Sequence, residues 1–362
     1  MVTVLMAVYQ GERYLEQQLD SILAQTVPVR IRISDDGSDD RSREILENYR
    51  AWYPGQIILD HRERLSGSDI MRVPAPAQNF FWLMERERET GESDYIMLSD
   101  QDDVWCNDKV RRQLARMRRL ESETAKECPI LLHSDMEVID AYGEEIHPSF
   151  FQYQGCSPAR TSLAEVLVEN PVTGGAVMMN RSLLSLAGKI PEACCMHDWW
   201  LALAASAFGI IDWVERPLSQ YRQHEGNALG ARQAGGLGRL RLLAERPGRN
   251  AEVRGSYLRM FNQALAFGKR YGEYLESDQK EILRAFLELP GQNPAQRLRS
   301  IARHGFMKNS RLQTMAMCVT IPERKQQAGR GTGQDGCGMN STREEHAPAG
   351  TGKEAMEETG RS

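Results

Sequence analysis

The chain has 362 residues, 41% of them hydrophobic and 26% charged, with a formal net charge of −5. This is the composition of a soluble protein with enough chain for one large domain or two, and its acidic balance excludes a general nucleic-acid binder. The seven cysteines are scattered and form no Cys-x-x-Cys pair, which excludes a disulfide framework or a structural zinc site and points to a reducing compartment.

Residues 2–8 read as a strand, followed by a helix at 13–25 with Leu15, Leu19, Ile22 and Leu23 on one face. A strand at 29–33 ends in Asp35-Asp36-Gly37-Ser38 and leads to a helix at 40–52, with Ile45, Leu46 and Tyr49 at helical spacing. A short strand at 57–59 and a helix at 77–89 come next. A strand at 95–98 then ends in Asp100-Gln101-Asp102-Asp103, and a helix covers 108–120. This alternation is the signature of a parallel, doubly wound α/β sheet.

Beyond Pro129 the pattern is less regular. Strands at 130–134, 136–139, 174–179 and 210–214, with a helix starting near Asp198, predict a mixed second half that completes the sheet. Residues 226–238 read as a loop and 239–321 as mainly helical. Residues 322–362 contain no Leu, Ile, Val or aromatic residue and are expected to be disordered. The N-terminus has no signal-peptide pattern, and no apolar run approaches the roughly 20 residues of a bilayer span, so a cytoplasmic protein is expected.

The acidic clusters carry the chemistry. Carboxylates at the carboxyl ends of successive parallel strands fall in the crevice where open α/β sheets bind ligands. Asp35 and Asp36 are placed to accept hydrogen bonds from a nucleotide's base or ribose, although Ser38, Asp39 and Asp40 also serve as ordinary helix caps. Asp100 and Asp102 can reach one hard cation, Mg2+ or Mn2+, and the diphosphate it bridges. Asp198, in His197-Asp198-Trp199-Trp200, sits at a helix start that favours the anion and could act as a general base. Trp199 and Trp200 beside it would offer platforms to an acceptor sugar. His224, in Tyr221-Arg222-Gln223-His224, is a candidate contact for the metal or the departing diphosphate. No Gly-x-Gly-x-x-Gly follows the first strand, which disfavours a nicotinamide dehydrogenase.

In series these segments resemble the family 2 glycosyltransferases of GT-A fold, and within them the rhamnosyltransferase-like branch of bacterial polysaccharide synthesis. The matching pieces are 4–11 with 19–26, 33–40, 98–105, Thr173-Gly174-Gly175-Ala176, 197–200 and 221–224. The resemblance covers about residues 2–230 and implies a Rossmann-like mixed sheet flanked by helices, with a C-terminal helical extension. It divides the chain into a GT-A domain at 1–235, a helical extension at 236–321 and a tail at 322–362. It implies that Asp35 and Asp36 hold the nucleotide, that Asp100 and Asp102 are the metal-binding pair, and that Asp198 is the base. It also places Tyr9, Gln10 and Glu12 beside the nucleotide and Asn79 near it. The implied partners are a dTDP- or UDP-linked sugar and a saccharide or lipid-linked acceptor, with single displacement and inversion. A Gln-x-x-Arg-Trp motif and membrane helices, carried by many processive relatives, are missing from this sequence, which implies addition of one or a few sugars.

Two other readings compete: a sugar-phosphate nucleotidyltransferase, and a non-catalytic carbohydrate-binding relative. The first would call for a Gly-rich basic phosphate loop after the first strand, which residues 10–13 match poorly, and retained Asp102 and Asp198 weigh against the second. Residues 297–311 carry Arg297, Arg299, Arg303, Lys308 and Arg311 without an acid, interleaved with Leu298, Ile301 and Phe306. Such a stretch is either a helix packed on the catalytic domain or an interfacial helix drawn to anionic lipid at the inner face of the cell membrane.

Overall fold

Every residue of Val2–Val8 (β1) but one is buried, so both faces of this strand need cover. Leu5 packs into one apolar cluster, and Val4, Met6 and Val8 pack into another with Leu15, Leu19 and Ile45. The two-residue period of a strand thus assigns alternate side chains to the two helical layers. The computed structural model describes residues 1–61, 73–225 and 247–322.

The first half follows as α1 (Leu15–Leu23), β2 (Arg30–Asp35), α2 (Ser42–Trp52), β3 (Ile57–His61), α3 (Ala75–Thr90) and β4 (Tyr95–Ser99). Then come β5 (Val104–Trp105), α4 (Lys109–Glu123), β6 (Ile130–Ile139), β7 (Glu145–His147), α5 (Phe150–Gln154) and α6 (Leu163–Val168). The rest is β8 (Met178–Asn180), α7 (Arg181–Ala187), α8 (His197–Phe208), β9 (Ile210–Arg222), α9 (Pro247–Tyr271), α10 (Ser277–Glu288), α11 (Pro294–His304) and α12 (Arg311–Thr320).

The sheet order is β3-β2-β1-β4-β8-β6-β9-β5, with β7 attached to β6. Strands β1 to β4 are parallel, as the alternation of elements predicts. β8 runs antiparallel to both β4 and β6, and β9 is parallel to β6. The result is the mixed α/β sheet flanked by helices expected of a GT-A fold.

Three expected elements differ in detail. The strands at 130–134 and 136–139 are one strand, β6, whose register against β9 shifts around Asp135. The strand at 210–214 continues through Pro217 to Arg222 for the same reason: a bulge absorbs the proline without ending the pairing. Residues 174–176 form a 3₁₀ turn instead of a strand, leaving only Met178–Asn180 in the sheet.

The helices after residue 247 share the core of the sheet domain. Phe261, Phe267, Tyr271, Phe286 and Phe306 belong to the same buried cluster as Trp200, Leu203 and Phe80. Arg297 is buried here, its guanidinium donating to the carbonyls of Leu289, Cys318 and Ile321. It therefore ties α11 to α12 and is not part of an exposed basic face, and Ile301 and Phe306 also point inward. The division at residue 235, the 226–238 loop and all of the 322–362 tail but Pro322 lie outside the described residues.

Candidate functional site

The acidic loop after β4 is held by contacts from a helix and two strand ends. Gln18 of α1 donates to Ser99 Oγ at 2.8 Å and to the Asp100 carbonyl at 3.1 Å. Gln101 locks onto the chain leaving β1: its Oε1 accepts from Tyr9 N at 2.8 Å and its Nε2 donates to Tyr9 O at 2.9 Å. A Cβ on Gly11 would sit 2.6 Å from Gln101 Oε1, so this approach requires glycine. At the end of β9, Arg222 donates from its backbone N to Asp103 Oδ1 at 3.2 Å and from Nε to the Asp102 carbonyl at 2.9 Å. His224 Nε2 lies 2.7 Å from Asp102 Oδ2.

The Gly174–Ala176 turn forms the opposite wall. Gly174 N donates to Asp198 Oδ2 at 3.1 Å and Trp199 N donates to Asp198 Oδ1 at 2.7 Å, which fixes the carboxylate at the amino end of α8. Asn170 adds a side-chain hydrogen bond to Asp198. Its Oδ1 accepts from Val172 N at 3.1 Å, so its amide NH2 is the group left for the carboxylate. A Cβ on Gly175 would meet Asp103 Oδ2 at 2.8 Å and Asp100 Oδ2 at 3.0 Å, so both carboxylates press against this glycine. Behind it, the fully buried Lys109 ammonium donates to Gly175 O at 3.3 Å and Ser219 Oγ at 3.4 Å and lies 4.9 Å from the Trp105 ring centroid.

Crowding of acids sets the electrostatics. Burial, then the charges of Asp102 and Asp198, pushes the Asp100 carboxyl up to about 7. Burial pushes Asp198 up to about 6, opposed by its hydrogen bonds from Trp199, Gly174 and Asn170. Burial and the neighbouring Asp102 and Asp100 drive Asp103 well above the ordinary carboxylate range, while burial brings Lys109 down to about 8. His197, stacked on Phe80 with ring centroids 4.0 Å apart, is held neutral by burial, which lowers it to about 3.

The residues expected around a nucleotide gather at the ends of β1 and β2. Tyr9 is exposed, Gln10 adopts φ 54° with its N donating to Ser38 Oγ, and Glu12 accepts from Arg41 N. Asp35 accepts from Ser38 N and from Arg43 Nε at 2.9 Å. Asp35 and Asp36 line a cavity of about 390 Å³ with Gly37, Arg43, Asp60 and His61. Asn79 is buried beneath this rim and donates to the Ser34 carbonyl at 3.0 Å, so it acts on the end of β2 from below.

Two expectations need correction. Trp200 is fully buried against Phe267, Tyr271 and the Arg270 guanidinium, so it has no face for an acceptor; only half-buried Trp199, whose Nε1 donates to Val166 O at 2.6 Å, stays beside the cleft. Asp100, Asp102 and His224 do not form one ligand set. Asp102 pairs with His224 while Asp100 turns to Gly175, and among the described residues no three His, Cys, Asp or Glu side chains are grouped to hold a metal. The sequence reading also assigned no role to Gln101, Lys109, Asn170 or Arg222. Gln101 and Arg222 stood inside the quoted motifs, whereas Lys109 and Asn170 lie outside them.

Residues 3–70 match the family described as glycosyl transferase family 2. Over 232 residues, 62% of this chain and 74% of the other, the sequence is 29% identical to the dTDP-rhamnosyl transferase RfbG of Shigella flexneri. It is 31% identical over 118 residues, 32% of this chain and 42% of the other, to the putative teichuronic acid biosynthesis glycosyltransferase TuaG of Bacillus subtilis. The chain is recognisable as a family 2 glycosyltransferase. The fold of this glycosyltransferase agrees with that of S. aureus TarS 1–349, at a TM-score of 0.50 and 14% identity, over 88% of this chain and 80% of that one. Among its described residues no helix is long and apolar enough to cross a membrane.

Proposed function

We propose that this glycosyltransferase is inverting and metal-dependent, and moves a sugar from a dTDP- or UDP-linked donor to a saccharide or lipid-linked acceptor in cell-surface polysaccharide synthesis. Rhamnose is the candidate sugar, on the name of the Shigella relative. One observation carries the reading: Asp198 is fixed by two backbone N–H groups in a cleft it shares with Asp100 and Asp102. In this reading the ionised Asp198 takes the proton of an acceptor hydroxyl as that oxygen attacks the anomeric carbon in line. Asp35, Asp36, Tyr9, Gln10 and Glu12 bind the nucleotide, and Asn79 holds the end of β2 in position. The crowding of Asp102 against Asp100 and Asp103, which raises the latter two, suits a hard divalent cation, for which two protein ligands completed by phosphate oxygens suffice. Asp102 and His224 would hold Mg2+ or Mn2+, which would supply charge neutralisation at the departing diphosphate.

A hydrolysis and transfer screen over UDP-, dTDP- and GDP-sugars with Mg2+ or Mn2+ tests this reading. Absence of binding and turnover with every donor would overturn it. Asn170 provides a finer check, because its hydrogen bond favours the ionised Asp198. Asn170→Ala is expected to move the acid limb of the kcat/KM profile to higher pH and to lower the rate roughly tenfold at neutral pH, the size of one charge-assisted hydrogen bond. An unmoved limb would remove Asn170 from the mechanism.

The division into a GT-A domain at 1–235 and a helical extension at 236–321 belongs to the same proposal, with contact to anionic membrane assigned to the extension. Leu312, Met315 and Val319 lie on one exposed face of α12, 66%, 51% and 72% accessible, with Arg311 exposed beside them. Wild type is expected to float with anionic liposomes, and the Leu312→Ser, Met315→Ser, Val319→Ser triple variant to stay behind. Equal flotation of the two would rule out this face.

A further inference from the structure

The cations bordering the cleft are largely committed to the protein itself. Arg43 binds Asp35, Lys109 is buried behind Gly175, and Arg222 spans Asp102 O, Asp103 Oδ1 and Gln17 Oε1. Arg13 is the exception: it is exposed, and among the described residues no carboxylate pairs with it. Its guanidinium lies 4.9 Å from the Tyr14 ring centroid and 6.0 Å from that of Tyr142. The same Tyr14 ring has its centroid 5.0 Å from that of His224 and lies 4.6 Å from Arg222 Cζ, so Arg13 stands one aromatic ring away from the Asp102–His224 pair.

The support is rigid. The Tyr14 hydroxyl donates to the Ala141 carbonyl at 3.2 Å, which ties it to the turn after β6. In that turn Asp140 Oδ1 accepts from Tyr142 N at 2.8 Å and Glu144 N at 2.9 Å, and Gly143 takes φ 92°. The turn thereby presents Tyr142, at 84% exposure, to solvent beside Arg13, a position that contributes nothing to the core. A guanidinium held flat by aromatic rings keeps its fork of donors aligned for paired anionic oxygens and loses little rotamer freedom on binding them. The need for such a group is local, because Asp35, Asp36 and Asp102 would repel a diphosphate entering this cleft.

We propose that Arg13, braced by Tyr14 and Tyr142, is a phosphate-binding residue that grips the diphosphate of the nucleotide donor beside Asp102 and His224. This assignment rests on the donor reading above and adds to it the residue that receives the leaving group's charge. The test is calorimetric titration of UDP, dTDP and GDP, and of the matching nucleosides, into wild type, Arg13→Ala, Arg13→Lys and Tyr142→Ala in the presence of MgCl2. Arg13→Ala is expected to weaken binding of the preferred nucleoside diphosphate roughly tenfold or more, with nucleoside affinity unchanged. Arg13→Lys and Tyr142→Ala are expected to fall between it and wild type, the first keeping charge without the planar fork and the second losing one brace. Diphosphate binding by Arg13→Ala equal to wild type would overturn the Arg13 assignment alone, as would a variant that raises only the acceptor KM. Failure of wild type to bind any of the three diphosphates would overturn the donor reading and this assignment together.

Discussion

Asp198→Asn is expected to lower kcat by roughly a hundredfold to ten-thousandfold, the span associated with a positioned general base, while donor affinity stays near wild type. The asparagine keeps the size of the side chain but only one of the two oxygens that accept from the Trp199 and Gly174 N–H groups, so it is the unchanged donor affinity that assigns the loss to the proton-accepting function. Steady-state transfer assays beside nucleotide titration separate the two effects. Turnover within about tenfold of wild type would remove Asp198 from the base role, since a true base contributes at least a hundredfold. The pH profile gives an independent check. Only the ionised carboxylate accepts a proton, so kcat/KM of the wild type is expected to fall as pH drops below about 6, the value to which burial raises Asp198. The sign for stability is opposite. A carboxyl whose folded pKa stands above its ordinary 3.8 favours the folded state below that value, and this contribution is lost as pH rises from 3.8 through about 6. The fold thus gives up some stability to hold the base in its cleft.

The parallel half was legible because each signal was local. The apolar run 2–8 and the one-faced apolar helices at 13–25 and 40–52 carry their own periodicity, and the strand ends with Asp35-Asp36 and Asp100-Gln101-Asp102 follow from topology. β5 and β7, at two and three residues, are too short to carry a pattern. Gly174-Gly175 looked like part of a strand because Ala176, Val177 and Met178 continue as an apolar run. Its turn is set by carboxylates arriving from residues 100, 103 and 198, which no local window contains. Trp200 was a different kind of error. Two residues apart on a helix means about 200° of rotation, so a side chain at 200 could not share the cleft with Asp198, and helical geometry alone would have shown it. Arg297 and Lys109 lay beyond sequence reasoning, because a cation inside a helix looks solvated until tertiary carbonyls close around it.

Lys109→Met is expected to destabilise the protein by about 3–5 kcal/mol, the range for removing one charged member of a buried constellation. Lys109 is fully inaccessible, and its charge is the one named cation whose field favours the ionised Asp103, which is itself 2% exposed. Methionine fills similar volume, so packing loss is a minor part of the effect. What remains is a buried carboxylate facing Asp100 and Asp102, together with a Gly175 carbonyl deprived of its donor. Removing the ammonium raises Asp103 further, so the deficit is expected to widen as pH rises through the range in which the wild-type carboxyl ionises. Adding Asp103→Asn to Lys109→Met removes the acid whose ionised form the lysine favours and should recover part of the loss, because buried groups that depend on each other are often replaceable together when neither is alone. Urea denaturation of wild type, both single variants and the double variant at pH 5 and pH 7 closes the cycle. A single Lys109→Met variant as stable as wild type, or a double variant no better than it, would mean that Lys109 does not hold this acidic loop in place. A coupled result would instead make the buried lysine the counterion that lets three aspartates converge on one strand end, the condition on which the donor site depends.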